Sequence, residues 1–300
     1  MLTEQEAEDS YLGQFIPLQY HHAMLTDANR MRNFKAAIDD VVQPGSKVLD
    51  LGGGTGALSF FAAAKAEKVW CVELNPDLVI ESKRLLALNR NGDKVEVIHA
   101  NAFDYLPPEP VDVVICEMIH VAMLREKQIA IVESFKQRYR QRFGAAMPIF
   151  IPTAVVMAVQ PMQQDYCFEG FHAPIVQIQE LAENTPGSIE LAVPSVYGIL
   201  DFKQEMKHDI SWQGSFNITQ GGTLNALRFI TKNILAIQLQ AHSSIDWLNR
   251  YMVLPLATPL QVQADDIVQA SFNYRTGGSI FSLQKKLRVE ILKLPKAPDY

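Results

Sequence analysis

Asp50-Leu51-Gly52-Gly53-Gly54-Thr55-Gly56 places four glycines in five positions directly after the β-type run Lys47-Val48-Leu49-Asp50-Leu51. Glycine reaches positive φ without steric cost and lets backbone pass close beneath a ligand, so such a turn is a specific geometric request. A helical pattern follows over 57–66, and the unit then repeats as strand 68–73, helix 77–90, strand 94–99, strand 111–116 and helix 125–143. This alternation predicts a parallel sheet with helices on both faces. Upstream, Ala23, Met24, Ala28, Met31, Phe34 and Ile38 recur at helical spacing, predicting a helix over 20–42 that starts or breaks near Asp27 and Asn29.

The pattern changes at Met147-Pro148-Ile149-Phe150-Ile151-Pro152. Beyond it, β-branched and alternating segments predict strands at 154–160, 229–240, 250–253, 261–273 and 285–292, with Gly221-Gly222 and Gly277-Gly278 as turns. The expected organisation is an N-terminal helical segment over 1–40, an α/β domain over 41–150 and a mostly antiparallel β domain over 151–300, joined by a linker at about 148–152. No internal repeat is present. A chain of 300 residues, 48% hydrophobic, can bury a large core without metals or disulfides.

A net charge of −6 gives no global positive field, so non-specific binding to nucleic acid or anionic membranes is not expected. The acidic N-terminus lacks the apolar region of a signal peptide, and no run of 18 apolar residues predicts a membrane span. The three cysteines include no Cys-x-x-Cys, which argues against a zinc ribbon, and no metal is expected. Their small, odd number suits a reducing compartment, so a cytoplasmic location is expected. Cys71 and Cys116 lie in apolar runs and read as small buried hydrophobes.

The glycine turn opens a helix, whose free N–H groups and dipole favour bound polar groups. Glu73 closes the next strand, 21 residues after Gly52, where a carboxylate can accept from both hydroxyls of a ribose. Two ligands fit, a nicotinamide-type dinucleotide and S-adenosylmethionine (SAM). Gly52-x-Gly54-x-x-Ala57 also meets the relaxed dinucleotide fingerprint. Asp50 at the mouth of the first strand would repel a pyrophosphate but suits the cationic sulfonium and amino groups of SAM. The Gly-x-Gly-Thr-Gly form resembles motif I of class I methyltransferases.

The fourth strand ends in Ile115-Cys116-Glu117-Met118-Ile119-His120, and Glu126 follows nine residues after Glu117. Strand ends of open α/β sheets bind ligands. Two carboxylates facing one pocket repel each other, and a bound guanidinium relieves that best because its fork matches carboxylates. Glu126 alone also reads as a first-turn acid favouring a helix dipole. This stretch resembles the double-glutamate loop of protein arginine methyltransferases. Tyr11-x-x-x-Phe15 resembles that family's N-terminal aromatic helix, and His21-His22-Ala23-Met24-Leu25-Thr26-Asp27-Ala28-Asn29-Arg30 resembles its His-x-x-Met-Leu-x-Asp-x-x-Arg segment. Val48 to Asn75 resembles its SAM-binding core, Ile151-Pro152 its passage into a β barrel, and Asp246-Trp247 its Thr-His-Trp segment.

The resemblance implies a class I, Rossmann-like α/β methyltransferase domain followed by a barrel-like antiparallel β domain. It implies SAM as cofactor and S-adenosylhomocysteine as product. Tyr11 and Phe15 would form a lid, Arg30 would pair with the methionine carboxylate, and Asp50 would lie near the amino group. Gly52, Gly54 and Gly56 would shape the floor, Glu73 would hold the ribose, and Asp104 would stand in for an adenine-contacting glutamate. Glu117 and Glu126 would orient an acceptor nitrogen on a protein or small molecule, and His120 is a candidate proton acceptor. His21 and His22 read as surface or helix-packing residues, and Trp247 as barrel core. The segment 166–191 falls where the family carries a dimerisation arm, so a homodimer is expected. The departures are Met118 for tryptophan, His120 for glycine, Phe15 for tyrosine and Ile245-Asp246 for Thr-His. They keep two alternatives open: a small-molecule or RNA acceptor, and a SAM-binding partner subunit without turnover.

Overall fold

A computed structural model describes residues 18–144, 146–181 and 187–292. Tyr11 and Phe15 lie outside the described residues. The predicted N-terminal helix is divided at Asp27 into α1 (Leu18–Thr26) and α2 (Ala28–Val41). The Asp27 carboxylate accepts from the Arg30 N–H at 2.9 Å, which caps α2 and turns the chain.

The α/β core is β1 (Lys47–Leu51), α3 (Ala57–Ala63), β2 (Lys68–Glu73), α4 (Pro76–Ala87), β3 (Val95–His99), β4 (Val113–Cys116), α5 (Gln128–Phe143) and β5 (Ile149–Ile151). All five strands are parallel, in the order β3-β2-β1-β4-β5. The chain therefore winds one way from β1 and the other way from β4, leaving a crevice between the carboxyl ends of β1 and β4. Leu51 pairs with both Val72 and Cys116, so Glu73, the last residue of β2, and Glu117, one residue past β4, stand level with Gly52. Three of the residues predicted for the site thus share one level of the sheet.

From Pro152 onward the chain builds an antiparallel region: β6 (Ala154–Gln164), β7 (Cys167–Phe168), β8 (Phe171–His172), β9 (Gln177–Gln179), β10 (Ser188–Glu190), β11 (Ser195–Asp201), β12 (Asp209–Asn217), β13 (Gly222–Gln238), β14 (Ser243–Leu248), β15 (Tyr251–Val262), β16 (Ile267–Arg275), α6 (Ile280–Lys286) and β17 (Arg288–Leu292). A seven-stranded curled sheet runs β10-β6-β13-β15-β9, with β11 on β6 and β14 on β13, and faces a three-stranded sheet β12-β16-β17. Between them lie Tyr197, Phe229, Phe272 and Tyr274. Tyr197 meets Phe272 edge-on at 5.1 Å and shares a 3.1 Å hydroxyl contact with Tyr274.

Four sequence expectations change here. The predicted strand 285–292 begins as helix, because Ser279 caps α6 through the Ser282 N–H at 3.1 Å and Leu283 anchors it in the core. The predicted strand 261–273 is two elements, split by a turn in which Asp265 has φ +70° and Asp266 accepts from Gln263 N–H at 2.7 Å. Strand 250–253 extends to Val262, and 229–240 starts at Gly222. Strands β11 and β12 were not anticipated: β11 loses the two-residue alternation at a register shift between Val196 and Gly198, and β12 has serine and glycine interspersed.

One apolar core runs through both regions. Helix α2 joins them, with fully buried Phe34 against Trp247 of β14 at 5.8 Å. Trp247 is buried, as expected, at the seam rather than at the barrel centre. Phe34→Ala should therefore lower unfolding free energy by about 3–5 kcal/mol in a urea titration, and a loss under about 1 kcal/mol would contradict this seam.

Candidate active site

The four glycines are used for two different reasons. Gly52, Gly54 and Gly56 have φ of +75°, +55° and +81°, which a side chain would strain. Gly53 lacks positive φ, but a Cβ there would stand 2.2 Å from the Cys71 sulfur. The turn is held by Val72 O, which accepts from Gly52 and Gly53 N–H at 2.9 and 3.0 Å. Glu73 then fixes its far side. One carboxylate oxygen accepts from Gly54 N–H at 2.9 Å, the other from Leu74 and Asn75 N–H at 2.8 Å each. Asp50, almost wholly buried, accepts from the Ser59 hydroxyl at 2.6 Å. Burial pushes its carboxyl up to about 6 against the opposing pull of Ser59.

Two side chains stand over this floor. A Cβ at Gly54 would meet the His21 ring at 2.9 Å, and one at Gly52 would meet the Met118 sulfur at 2.9 Å. His21 is therefore a wall of the glycine turn, which corrects its reading as a surface or helix-packing residue. Asp104 follows β3 in a loop that starts beside the end of β2, where Ala100 N–H donates to Glu73 O at 3.0 Å. Its carboxylate is exposed, and its carbonyl is held by Arg138.

Arg30 forms a buried ion pair with Glu117. Its guanidinium also lies over the rings of Phe34 and Trp247, at 5.5 and 5.9 Å. Burial works against the Arg30 charge, but Glu117, with Asp27 and Glu126, outweighs it and the pKa rises. Glu126 lies near the same pair. Burial first, and Glu117 second, push its carboxyl up to about 8, with Arg30 and Arg125 opposing. At neutral pH Glu126 is thus largely protonated beside a Glu117 already engaged by Arg30.

The loop between the two glutamates is strained. Ala122, Met123 and Arg125 have φ of +58°, +54° and +60°, each a cost of about 1–3 kcal/mol for a residue with a side chain. The second region enforces it. Ala122 N–H donates to Thr231 Oγ1 at 2.8 Å, Gly277 N–H to Met123 O at 2.7 Å, and Arg125 N–H to Gly278 O at 2.8 Å. Asn249 Nδ2 reaches Ile119 O at 3.3 Å, and Lys127 Nζ reaches Gly277 O at 2.8 Å. His120 Nδ1 lies 3.0 Å from Val121 O. A carbonyl only accepts, so Nδ1 carries the proton and Nε2 keeps a lone pair. Burial pushes His120 down to about 4, so it is neutral.

Residues 48–141 match a family model described as a methyltransferase domain. Over 270 residues the chain is 27% identical to an uncharacterized protein of Methanocaldococcus jannaschii, covering 90% of this chain and 96% of that one. A probable protein arginine N-methyltransferase 6 of Arabidopsis thaliana is 30% identical over 142 residues, 46% of this chain and 32% of that protein. Two solved structures share the fold. The arginine methyltransferase enzyme–prozyme heterotetramer of Trypanosoma brucei, with S-adenosylhomocysteine, matches with TM-score 0.72 and 16% identity, over 92% of this chain and 99% of that one. Arabidopsis thaliana protein arginine methyltransferase 10 matches with TM-score 0.73 and 18% identity, over 88% and 89%. The chain carries a SAM-dependent methyltransferase domain and is similar to the protein arginine methyltransferases. SAM fits the residues present, since the backbone turns at positive φ at Gly52, Gly54 and Gly56, and buried Asp50, Glu73 and Arg30 border the turn with carboxylates and a guanidinium.

The structure brings Asp50, Gly52, Gly54, Gly56, Glu73, Arg30, Glu117 and Glu126 of the methyltransferase into one crevice, with His120 in the adjoining loop. Sequence reasoning missed Gln128, Thr231, Asn249 and Gly277-Gly278. Only the glycine pair carried a signal, as a turn. The departures at 245–246 are accommodated: Asp246 pairs with Lys232 of β13 at 2.6 Å, while Asp27 caps α2.

Glu126 and Asp50 both hold protons more tightly when folded than when unfolded. The native state therefore binds more protons between about pH 4 and pH 8, and stability falls as pH rises through that window. Without ligand, Tm should decline across it. Glu126→Gln should flatten the decline and raise Tm at about pH 8.5 by about 3 °C. Parallel curves for the two proteins would contradict the assignment.

Proposed function

We propose that this methyltransferase transfers the methyl group of SAM to a guanidinium nitrogen of arginine on a protein acceptor. The observation that carries this reading is the charge imbalance of the crevice. Glu117 and Glu126 interact with each other, Arg30 pairs with only Glu117, and burial, then Glu117, keep Glu126 largely protonated. A guanidinium supplies that cation, with a donor fork suited to two carboxylates.

Glu73 would hold the ribose, Asp50 the amino group, Arg30 with His21 the methionine carboxylate, and Asp104 the adenine side; Tyr11 and Phe15 would close over them. SAM supplies a methyl group activated by its sulfonium. The protein's work is then positioning and electrostatics. Glu117, anchored by Arg30, orients the acceptor. Glu126 releases its proton to solvent as the cationic acceptor enters, and the resulting carboxylate takes the proton that the methylated nitrogen loses. His120, depressed to about 4, is the weaker base; its Nε2 lone pair serves better to accept a hydrogen bond and orient the acceptor.

Labelled methyl from SAM, incubated with a fractionated cell extract, should appear on protein arginine. Label confined to small molecules or RNA would overturn the acceptor, and SAM binding with no label anywhere would favour a subunit without turnover. Glu117→Gln should lower transfer at least about 100-fold, without weakening SAM binding, because it frees Arg30.

The homodimer reading draws support from an apolar surface. Phe168, Phe171, Ile175, Ile178 and Leu181 are exposed in and after the β7–β8 hairpin, and Ile80 and Leu88 are exposed on and just past α4. Phe171→Asp should shift a dimer toward monomer in light scattering, and an unchanged mass would remove the hairpin from the interface.

A further inference from the structure

We infer that Gln128 is a positioning residue that sets the separation of the two glutamates, an inference that rests on the two-glutamate reading above. Gln128 opens α5, two residues after Glu126, and its side chain is fully buried. It does not cap the helix; Lys127 holds that position and makes no side-chain cap bond. The Gln128 amide instead turns back to the end of β4. Its Nε2 donates to Cys116 O at 2.6 Å and its Oε1 accepts from Met118 N–H at 2.8 Å. The Cys116 thiol points to the same oxygen at 3.4 Å.

These two bonds enclose Glu117. They fall where the sheet stops: β4 pairs with β1 as far as Leu51 and Cys116, and with β5 only as far as Ile115 and Ile151. A primary amide offers one donor and one acceptor side by side, as a neighbouring strand residue would. Gln128 therefore extends the order of the sheet by two residues past its last strand pair. Glu117 is held by it from the β4 side, while Glu126 is joined to it through a single intervening residue. The carboxylate gap is thereby fixed through one side chain rather than through the strained 118–125 loop. Among ordinary side chains, methionine fills a similar volume without these bonds, and glutamate keeps the acceptor for Met118 N–H while losing the donor to Cys116 O.

The test compares wild type, Gln128→Met and Gln128→Glu. Hydrogen exchange at the Met118 amide should rise at least about tenfold in Gln128→Met and less in Gln128→Glu. The SAM dissociation constant should stay within about threefold of wild type in both, because the glycine turn does not depend on Gln128. With a synthetic glycine-flanked arginine peptide as acceptor, kcat should fall at least about tenfold in Gln128→Met, with the acceptor KM rising and Gln128→Glu intermediate. Equal peptide kinetics in folded Gln128→Met and wild type would overturn the inference. So would exchange that stays unchanged, or SAM binding lost in step with transfer. If wild type does not methylate the peptide, arginine fails as acceptor; exchange at Met118 then decides Gln128 alone, a rise supporting its hold on Glu117 and no rise overturning it.

Discussion

The buried Arg30–Glu117 ion pair is the contact on which the arrangement of this protein turns. It ties α2, the end of β4 and, through the ring of Trp247, strand β14. Burying two charges is costly, and their attraction repays it only with good geometry and further partners. The Arg30 guanidinium has such partners in Met24 O, to which it donates at 3.4 Å, and in the faces of Phe34 and Trp247. Losing either member would strand a charge in the seam between the two regions. The helical segment before β1 is therefore a structural member of the crevice as well as a candidate cofactor contact.

The second region does more than follow the first. The 118–125 loop holds three positive-φ residues that ordinary chain would avoid, and it keeps them because Thr231, Asn249, Gly277 and Gly278 bond to it from the antiparallel sheets. A Cβ on Gly277 would approach Glu126 O to 3.2 Å, so this contact needs a glycine on the far side. The acceptor half of the crevice is thus built jointly. The cofactor half draws on strand ends and a glycine turn of the α/β core, with His21 and Arg30 from the two helices before β1.

That division explains what the sequence made legible. Asp50, the glycines and Glu73 could be read because strand, turn and strand lie within 27 residues and each type has a local reason to be there. Glu117 and Glu126 were legible as a spaced pair at a strand end. Thr231 and Asn249 were not, because an isolated polar residue in a β segment gives no hint of a partner over 100 residues away. Gln128 carries no motif in the sequence, and its backward reach to Cys116 and Met118 is visible only in three dimensions. His21 was underrated because a histidine beside another on a helix carries no direction. In the β region, α6 was missed because a short capped helix between strands has too few turns to show its period.

The departures from the family pattern acquire a physical meaning once charges are placed. An acid at position 246 next to another at 27 would be unfavourable if the two had to pair. They do not: Lys232 from the neighbouring strand meets Asp246, and Asp27 spends its carboxylate on the first turn of α2. Met118 replaces an expected ring with a flexible thioether resting on Gly52, a change in shape without a change in charge. The two carboxylates and Arg30 therefore keep their charges in the crevice, while the side chain over Gly52 is a thioether. Charge selects the kind of group admitted, and wall shape selects which molecule presents it. Under the proposed reading, the residues that differ are the ones able to change which molecule presents the cationic nitrogen.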